Sequence, residues 1–158
     1  MKHLPKHLRP RRRYLAVAIE AWPDADLGSH AFQRACWYAA QNLLGDPGAA
    51  DIDLRVLDLS FADGTGTAIV RVRRDEVERA RAAIACVEEV SGSPVGVRVL
   101  GMSGTMRACE ERYIGRASRA ATERNVVFAD SQRPAVVRNG RFDVHGEPGF
   151  VGATALDI

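Results

Sequence analysis

The sequence predicts an α+β fold, a four-stranded antiparallel sheet with two helices on one face, to which a third helix and a C-terminal hairpin are added. Three observations carry this. Apolar residues alternate with period two in the first strand and further β-rich runs follow it, they recur every three to four residues in the helical stretches, and the elements follow in the order strand, helix, strand, strand, helix, strand. The chain has 158 residues, 46% of them hydrophobic. That is enough for one core of ordinary size and too little for two comfortable domains.

Residues 14–21 form the first strand, with Leu15, Val17 and Ile19 on one face and Tyr14, Ala16, Ala18 and Glu20 on the other, and Pro23 ends it. A helix of about 16 residues follows. Ser29 offers a cap, Phe32, Cys36, Ala39 and Leu43 make the buried stripe, and Gly45 with Pro47 stops the pattern. Trp37 and Tyr38 lie off that stripe, placed either for a protein interface or for packing beneath the C-terminal residues. Residues 54–61 and 67–73 read as an antiparallel hairpin around the glycine-containing loop 62–66.

Asp75 can cap a second helix with Val77, Ala80, Ile84 and Val87 facing inward and an Asp75–Arg79 ion pair. Ser91-Gly92-Ser93-Pro94 closes it, and residues 95–102 make the fourth strand. Ser103-Gly104-Thr105 then leads into a third helical pattern carrying Met106, Cys109 and Tyr113. Two right-handed β-α-β crossovers joined by a hairpin constitute the ferredoxin-like split unit. Beyond residue 114 the composition loosens. Residues 135–144 read as a hairpin around an Asn139-Gly140 type I′ turn, and the remainder as loop or weakly docked tail. The expected organisation is a basic arm over 1–13, the α/β domain over 14–116 and an extension over 117–158.

Charge is distributed unevenly. Six of the first thirteen residues are basic (Lys2, Lys6, Arg9, Arg11, Arg12, Arg13) and none is acidic, whereas the remainder has 16 basic against 20 acidic residues. A block of this kind reads as a phosphate-binding arm, or as a solvated basic tail. Arginine supplies 20 of the 22 basic residues, which suits bidentate pairing with phosphate; a GC-rich genome produces the same bias. No run of about 20 apolar residues offers a membrane span, nor does an apolar signal core follow the arm, so a cytoplasmic location is expected.

Catalytic signatures are missing. Cys36, Cys86 and Cys109 are too widely spaced for a zinc knuckle or disulfide framework and read as small helix hydrophobes. The histidines form no metal-binding pair with carboxylates, His3 and His7 alone being spaced i,i+4 in a segment broken by Pro5, and no nucleophile elbow, Walker loop or dinucleotide fingerprint occurs. Carboxylates cluster at Asp51, Asp53 and Asp58, but Asp51 and Asp53 flank a strand start and read as solvated. No catalytic residue, metal ligand or cofactor is therefore assigned. Base stacking in the style of an RNA-recognition motif requires strand aromatics, and the third strand has none. Candidate phosphate contacts are Lys6, Arg9, Arg11, Arg12 and Arg13 of the arm, Arg71 and Arg73 at the third strand's end, and Ser103, Gly104, Thr105 and Arg107. In the last group a helix N-terminus presents free N–H groups and glycine permits close approach. Capping by Thr105, and carboxylate pairing of the strand arginines, are the competing readings.

Several segments together resemble the archaeal ribonuclease P protein component 2 family: Leu4-Pro5-Lys6-His7-Leu8-Arg9-Pro10-Arg11-Arg12-Arg13-Tyr14, Gly66-Thr67-Ala68-Ile69-Val70-Arg71-Val72, and Arg98-Val99-Leu100-Gly101-Met102-Ser103-Gly104-Thr105-Met106-Arg107. The likeness spans about residues 2–114. It implies a protein subunit of the ribonucleoprotein that removes the 5′ leader from precursor tRNA. The RNA with its bound Mg²⁺ performs the hydrolysis, while the subunit pairs with protein component 3, joins the other ribonuclease P proteins and helps stabilise the active RNA. One alternative is a stand-alone ferredoxin-like module that senses a ligand or oligomerises and carries a basic tail; a second is a ferredoxin-like enzyme that uses one of the carboxylates read as solvated.

Overall fold

The structure, a computed structural model, describes residues 3–114, 122–146 and 149–158. It is a mixed α/β arrangement of two antiparallel sheets and, among the described residues, three helices. The first sheet is built from β1 (Arg12–Ala21), β2 (Arg55–Ala62), β3 (Thr65–Arg73), β4 (Glu89–Val90) and β5 (Ser93–Ser103), in the order β2-β3-β1-β5-β4. The short β4 makes five strands where four were expected. Ser91 (φ 50°) and Gly92 (φ 79°) turn the chain from β4 into β5, so this segment makes a hairpin instead of closing a helix.

Helix α1 (Ser29–Ile52) is two helices joined at Gly45, whose φ of 71° and ψ of 173° are non-helical. Glycine takes this left-handed φ without the Cβ penalty, and Pro47, which needs no amide partner in a first turn, restarts the helix. The expected stop at Gly45 is present; the restarted turn to Ile52 is an addition. Gly28 occupies the N-cap and Ser29 is the first helical residue, with no side-chain cap. Helix α2 (Val77–Ala85) likewise begins after Glu76 without a side-chain cap. Arg79 pairs with Glu76 at 2.9 Å and with Asp51 at 3.8 Å, replacing the expected Asp75–Arg79 pair.

α1 and α2 cover one face of the sheet. Leu15, Val17 and Ile19 of β1 and Val70 and Val72 of β3 pack there against Phe32, Cys36 and Ala40 of α1 and Ala80 and Ile84 of α2, all essentially inaccessible to water. Burial pushes the Cys36 thiol up to about 12, so it is an inert small hydrophobe, and Cys109 is buried as well. Cys86 is exposed, contrary to its reading as a packed residue. The third helix is different in kind. α3 spans only Met106–Cys109 before the chain widens into a π turn over Glu110–Ile114. It lies on the opposite face of the sheet, where the Cys109 thiol donates to the Tyr14 carbonyl at 3.7 Å. A Cβ on Gly101 would collide with the Tyr113 ring, so the missing side chain lets that ring sit on the strand. Ala16 and Ile69, paired on this outer face, are fully buried as a result.

The C-terminal residues form a second four-stranded sheet where one hairpin was expected. Its strands are β6 (Thr122–Phe128), β7 (Ser131–Arg138), β8 (Arg141–His145) and β9 (Phe150–Ala153), in sequence order. The expected Asn139-Gly140 turn joins β7 to β8 with φ of 51° and 77°. Val126, Ala135, Phe142, Val144 and Ala153 make a small core. This sheet is docked, not a loose tail: Trp22 stacks on Phe150 at 5.5 Å, and Arg138 reaches the carbonyls of Ala21 and Gly64. The expected boundary at 116/117, and Pro148, lie outside the described residues.

Candidate nucleic-acid interface

β1 begins where β3 and β5, both antiparallel to it, end. Arg12 pairs with Arg73, Arg13 with Val72, and Tyr14 with both Arg71 and Ser103. Three segments far apart in sequence, 3–13, 71–74 and 103–107, therefore meet at one end of the first sheet. The backbone ties them further, since Arg74 N–H donates to the Arg11 carbonyl at 3.0 Å.

The arm leaves this end as a 3-10 turn over Lys6–Leu8, held by Leu8 N–H on the Pro5 carbonyl at 2.9 Å and Arg9 Nε on the Leu4 carbonyl at 2.7 Å. Residues 3–11 are exposed. Among the described residues, Lys6, Arg9, Arg11 and Arg13 make no salt bridge with a carboxylate. These charges are unpaid by the fold and free to meet an anion. Arg12 and Arg13 belong to β1 instead of the arm, because the strand starts two residues earlier than the apolar alternation indicated.

Arg12 donates to Asp53, the residue that closes α1 in a left-handed conformation at φ 45°. The Arg12 hydrogen bond holds the Asp53 carboxyl below the ordinary carboxylate range, with the charges of Arg12, Arg73 and Arg71 adding to it and desolvation opposing. Asp53 is thus a structural partner, not the solvated carboxylate expected. Arg55 pairs with Arg71 across the hairpin, so Arg12, Arg55, Arg71 and Arg73 share the outer face at this corner. Arg71 and Arg73 form no salt bridge there, and Arg71 Nε is buried without a hydrogen-bond partner. One carboxylate among four guanidiniums leaves the corner positive. Sequence reading missed Arg55 because its place beside Arg71 is set by pairing register.

The turn over residues 103–107 is partly committed to the fold. Thr105 caps α3, its Oγ1 accepting from Ala108 N–H at 3.2 Å. Arg107 pairs with Glu111 one turn on, at 2.8 Å, and both side chains are well exposed. Ser103 is buried and its Oγ has no partner. Gly104 faces Arg13: a Cβ there would come within 2.9 Å of Arg13 Nη1. The structure therefore brings Arg13 and the turn together and spends Thr105 on the helix end. Trp37, which had an interface as one of its readings, donates its Nε1–H to the Leu54 carbonyl at 3.0 Å.

No group of three or more His, Cys, Asp or Glu that could hold a metal ion gathers among the described residues, and none of their helices is long and apolar enough to cross a membrane. Cations without a carboxylate partner and the backbone of the 103–107 turn gather at this end of the sheet, the kinds of group that phosphate recognition uses.

The model of the Rpp14/Pop5 family matches residues 13–114. The chain is 62% identical over 157 residues to "Ribonuclease P protein component 2" of Halorubrum lacusprofundi, covering 99% of each. It is 58% identical to the protein of the same name from Natronomonas pharaonis, covering all of this chain and 98% of that one. With the protein of that name from Pyrococcus horikoshii it shares 31% identity over 116 residues, 73% of this chain and 93% of the relative.

Proposed function

We propose, for a chain that belongs to the Rpp14/Pop5 family, that it acts as a protein subunit of ribonuclease P and grips the phosphate backbone of the ribonuclease P RNA with one end of its first sheet. The observation that carries this reading is the meeting of arm, β3 end and β5 end at a single positive corner. Lys6, Arg9, Arg11, Arg13, Arg71 and Arg73 make the charged contacts, with Arg55 beside them. Arg12 sets the corner through Asp53, and the backbone around Ser103 and Gly104 approaches a phosphate closely. Arg107 adds a charge at the rim, moderated by Glu111, and Thr105 fixes the turn.

This chain supplies binding and the RNA supplies chemistry. Mg²⁺ held by the RNA would supply the chemistry of the phosphodiester hydrolysis. The cations of this chain position and neutralise the RNA backbone. We read the order β2-β3-β1-β5, with α1 and α2 on one face, as a ferredoxin-like split β-α-β unit, and the second sheet as an extension of it. Protein component 3, the other ribonuclease P proteins and precursor tRNA are the proposed companions, in the cytoplasm. No observation favours the stand-alone sensing module.

The test is reconstitution. The chain is mixed with component 3 protein and the cognate RNA, and precursor-tRNA cleavage is followed at limiting Mg²⁺. Stimulation that falls when Lys6, Arg9 and Arg11 are changed to Gln supports the reading; absence of any stimulation by the unaltered chain refutes it.

A further inference from the structure

We propose that the cleft between the outer face of the first sheet, the π turn after α3 and the β7–β8 turn receives one unpaired nucleotide of the RNA, with guanine as its preferred base. This rests on the RNA-binding reading above but concerns a different place, further down the outer face from the positive corner.

Pairing register builds the floor. Ala18 lies beside Thr67 of β3 and Arg98 of β5, and Glu20 lies beside Thr65. Tyr113, seated where Gly101 has no side chain, makes one wall, and Arg112 extends it. Asn139, from the turn of the second sheet, also lines it. The cleft, open to solvent on one side, has a volume of about 390 Å³, which suits a single small ligand group. Base stacking was discounted because β3 lacks an aromatic; here the aromatic arrives from the turn after α3.

The chemistry of the lining selects among ligands. Arg98 and Arg112 make no salt bridge among the described residues and can meet the phosphates on either side of a nucleotide. Tyr113 brings an aromatic ring to the lining, against which a base can stack. Glu20 also makes no salt bridge there. A carboxylate repels a second phosphate, and its two oxygens accept two adjacent donors. Guanine alone of the four RNA bases presents such a pair, N1–H and N2–H, on its Watson–Crick edge. The Asn139 amide and Thr67 hydroxyl remain for the carbonyl and the ribose.

The test uses the full chain and fluorescently labelled oligouridylates with and without one guanosine, read by anisotropy. The expected result is about tenfold tighter binding of the guanosine-bearing strand, a preference erased by Glu20→Gln and reduced by Asn139→Gly, which keeps the turn. Changing Lys6, Arg9 and Arg11 to Gln should weaken both strands equally and leave their ratio unchanged. Equal affinities for the two strands, or a preference that Glu20→Gln leaves intact, would overturn the proposal. So would guanosine monophosphate binding as tightly as the oligomer, which would mark a free-nucleotide pocket. If instead the arm variant changes neither affinity while the guanosine preference holds, the phosphate-arm reading fails and the cleft stands.

Discussion

Arg138 pairs with Asp143 at the seam between the two sheets, and its second terminal nitrogen donates to the carbonyls of Ala21 and Gly64. The guanidinium is almost wholly buried, 7% exposed. It joins β7, β8, the end of β1 and the β2–β3 turn through one side chain. Arg138→Met leaves Asp143 and two carbonyls without their donor, and is expected to cost about 3 kcal/mol of stability. Urea unfolding of the two proteins measures this, and a cost below about 1 kcal/mol, the level of an exposed pair, would mean that the seam is held by the Trp22 contacts instead.

Asp53 makes stability depend on acid pH. Its folded-state titration lies below the ordinary value because of Arg12. A carboxyl depressed on folding contributes stability that is fully present above its unfolded value of about 3.9 and is lost as pH falls through the folded one. Asp53→Asn should therefore be less stable than the natural chain at neutral pH, with the gap closing at pH values below about 4. Denaturation midpoints across that range check it; a gap that persists at the lowest pH would assign the loss to packing.

Gly104 and Arg13 share one space. A methyl at position 104 meets the far end of a flexible arginine, so Gly104→Ala should move the guanidinium with little change in stability. RNA affinity should fall, and Arg13→Gln added to that variant should cost nothing more. Additive losses in a double-mutant cycle would separate the two residues.

Thr105 holds the start of α3 through Ala108. Thr105→Val keeps the shape and removes the acceptor, for an expected loss of about 1 kcal/mol by thermal or urea unfolding. An unchanged midpoint would indicate that the turn is fixed by Cys109 and Tyr113 instead.

Several of these features were legible in the sequence and others were not, for definite reasons. Gly45 with Pro47, Asp63-Gly64 and Asn139-Gly140 carry local turn chemistry, and each breaks or turns the chain where that chemistry indicates. Ala129-Asp130 makes the same kind of turn between β6 and β7, with φ of 49° and 60°. Alanine gives no signal of a positive φ, so the second sheet beyond its one hairpin stayed hidden. The basic arm was visible as composition, and Arg71 and Arg73 as strand positions. What placed them together, Asp53 taking up Arg12 and Arg55 falling beside Arg71, is pairing between distant segments and leaves no local trace. Arg138 shows the same limit, since nothing around it in the chain points to Ala21 or Gly64.

The central claim, that arm and strand ends form one phosphate-binding surface, is tested most directly by the salt dependence of RNA affinity. Three variants are compared with the natural chain: Lys6, Arg9 and Arg11 changed to Gln; Arg71 and Arg73 changed to Gln; and Arg34→Gln on the opposite, helical layer. Each phosphate contact removed should make the slope of log affinity against log salt shallower by about 0.7 to 0.9. The account expects shallower slopes for the first two variants, a still shallower one when they are combined, and no change for Arg34→Gln. Unchanged slopes in the first two, or an equal loss in the Arg34 control, would contradict it.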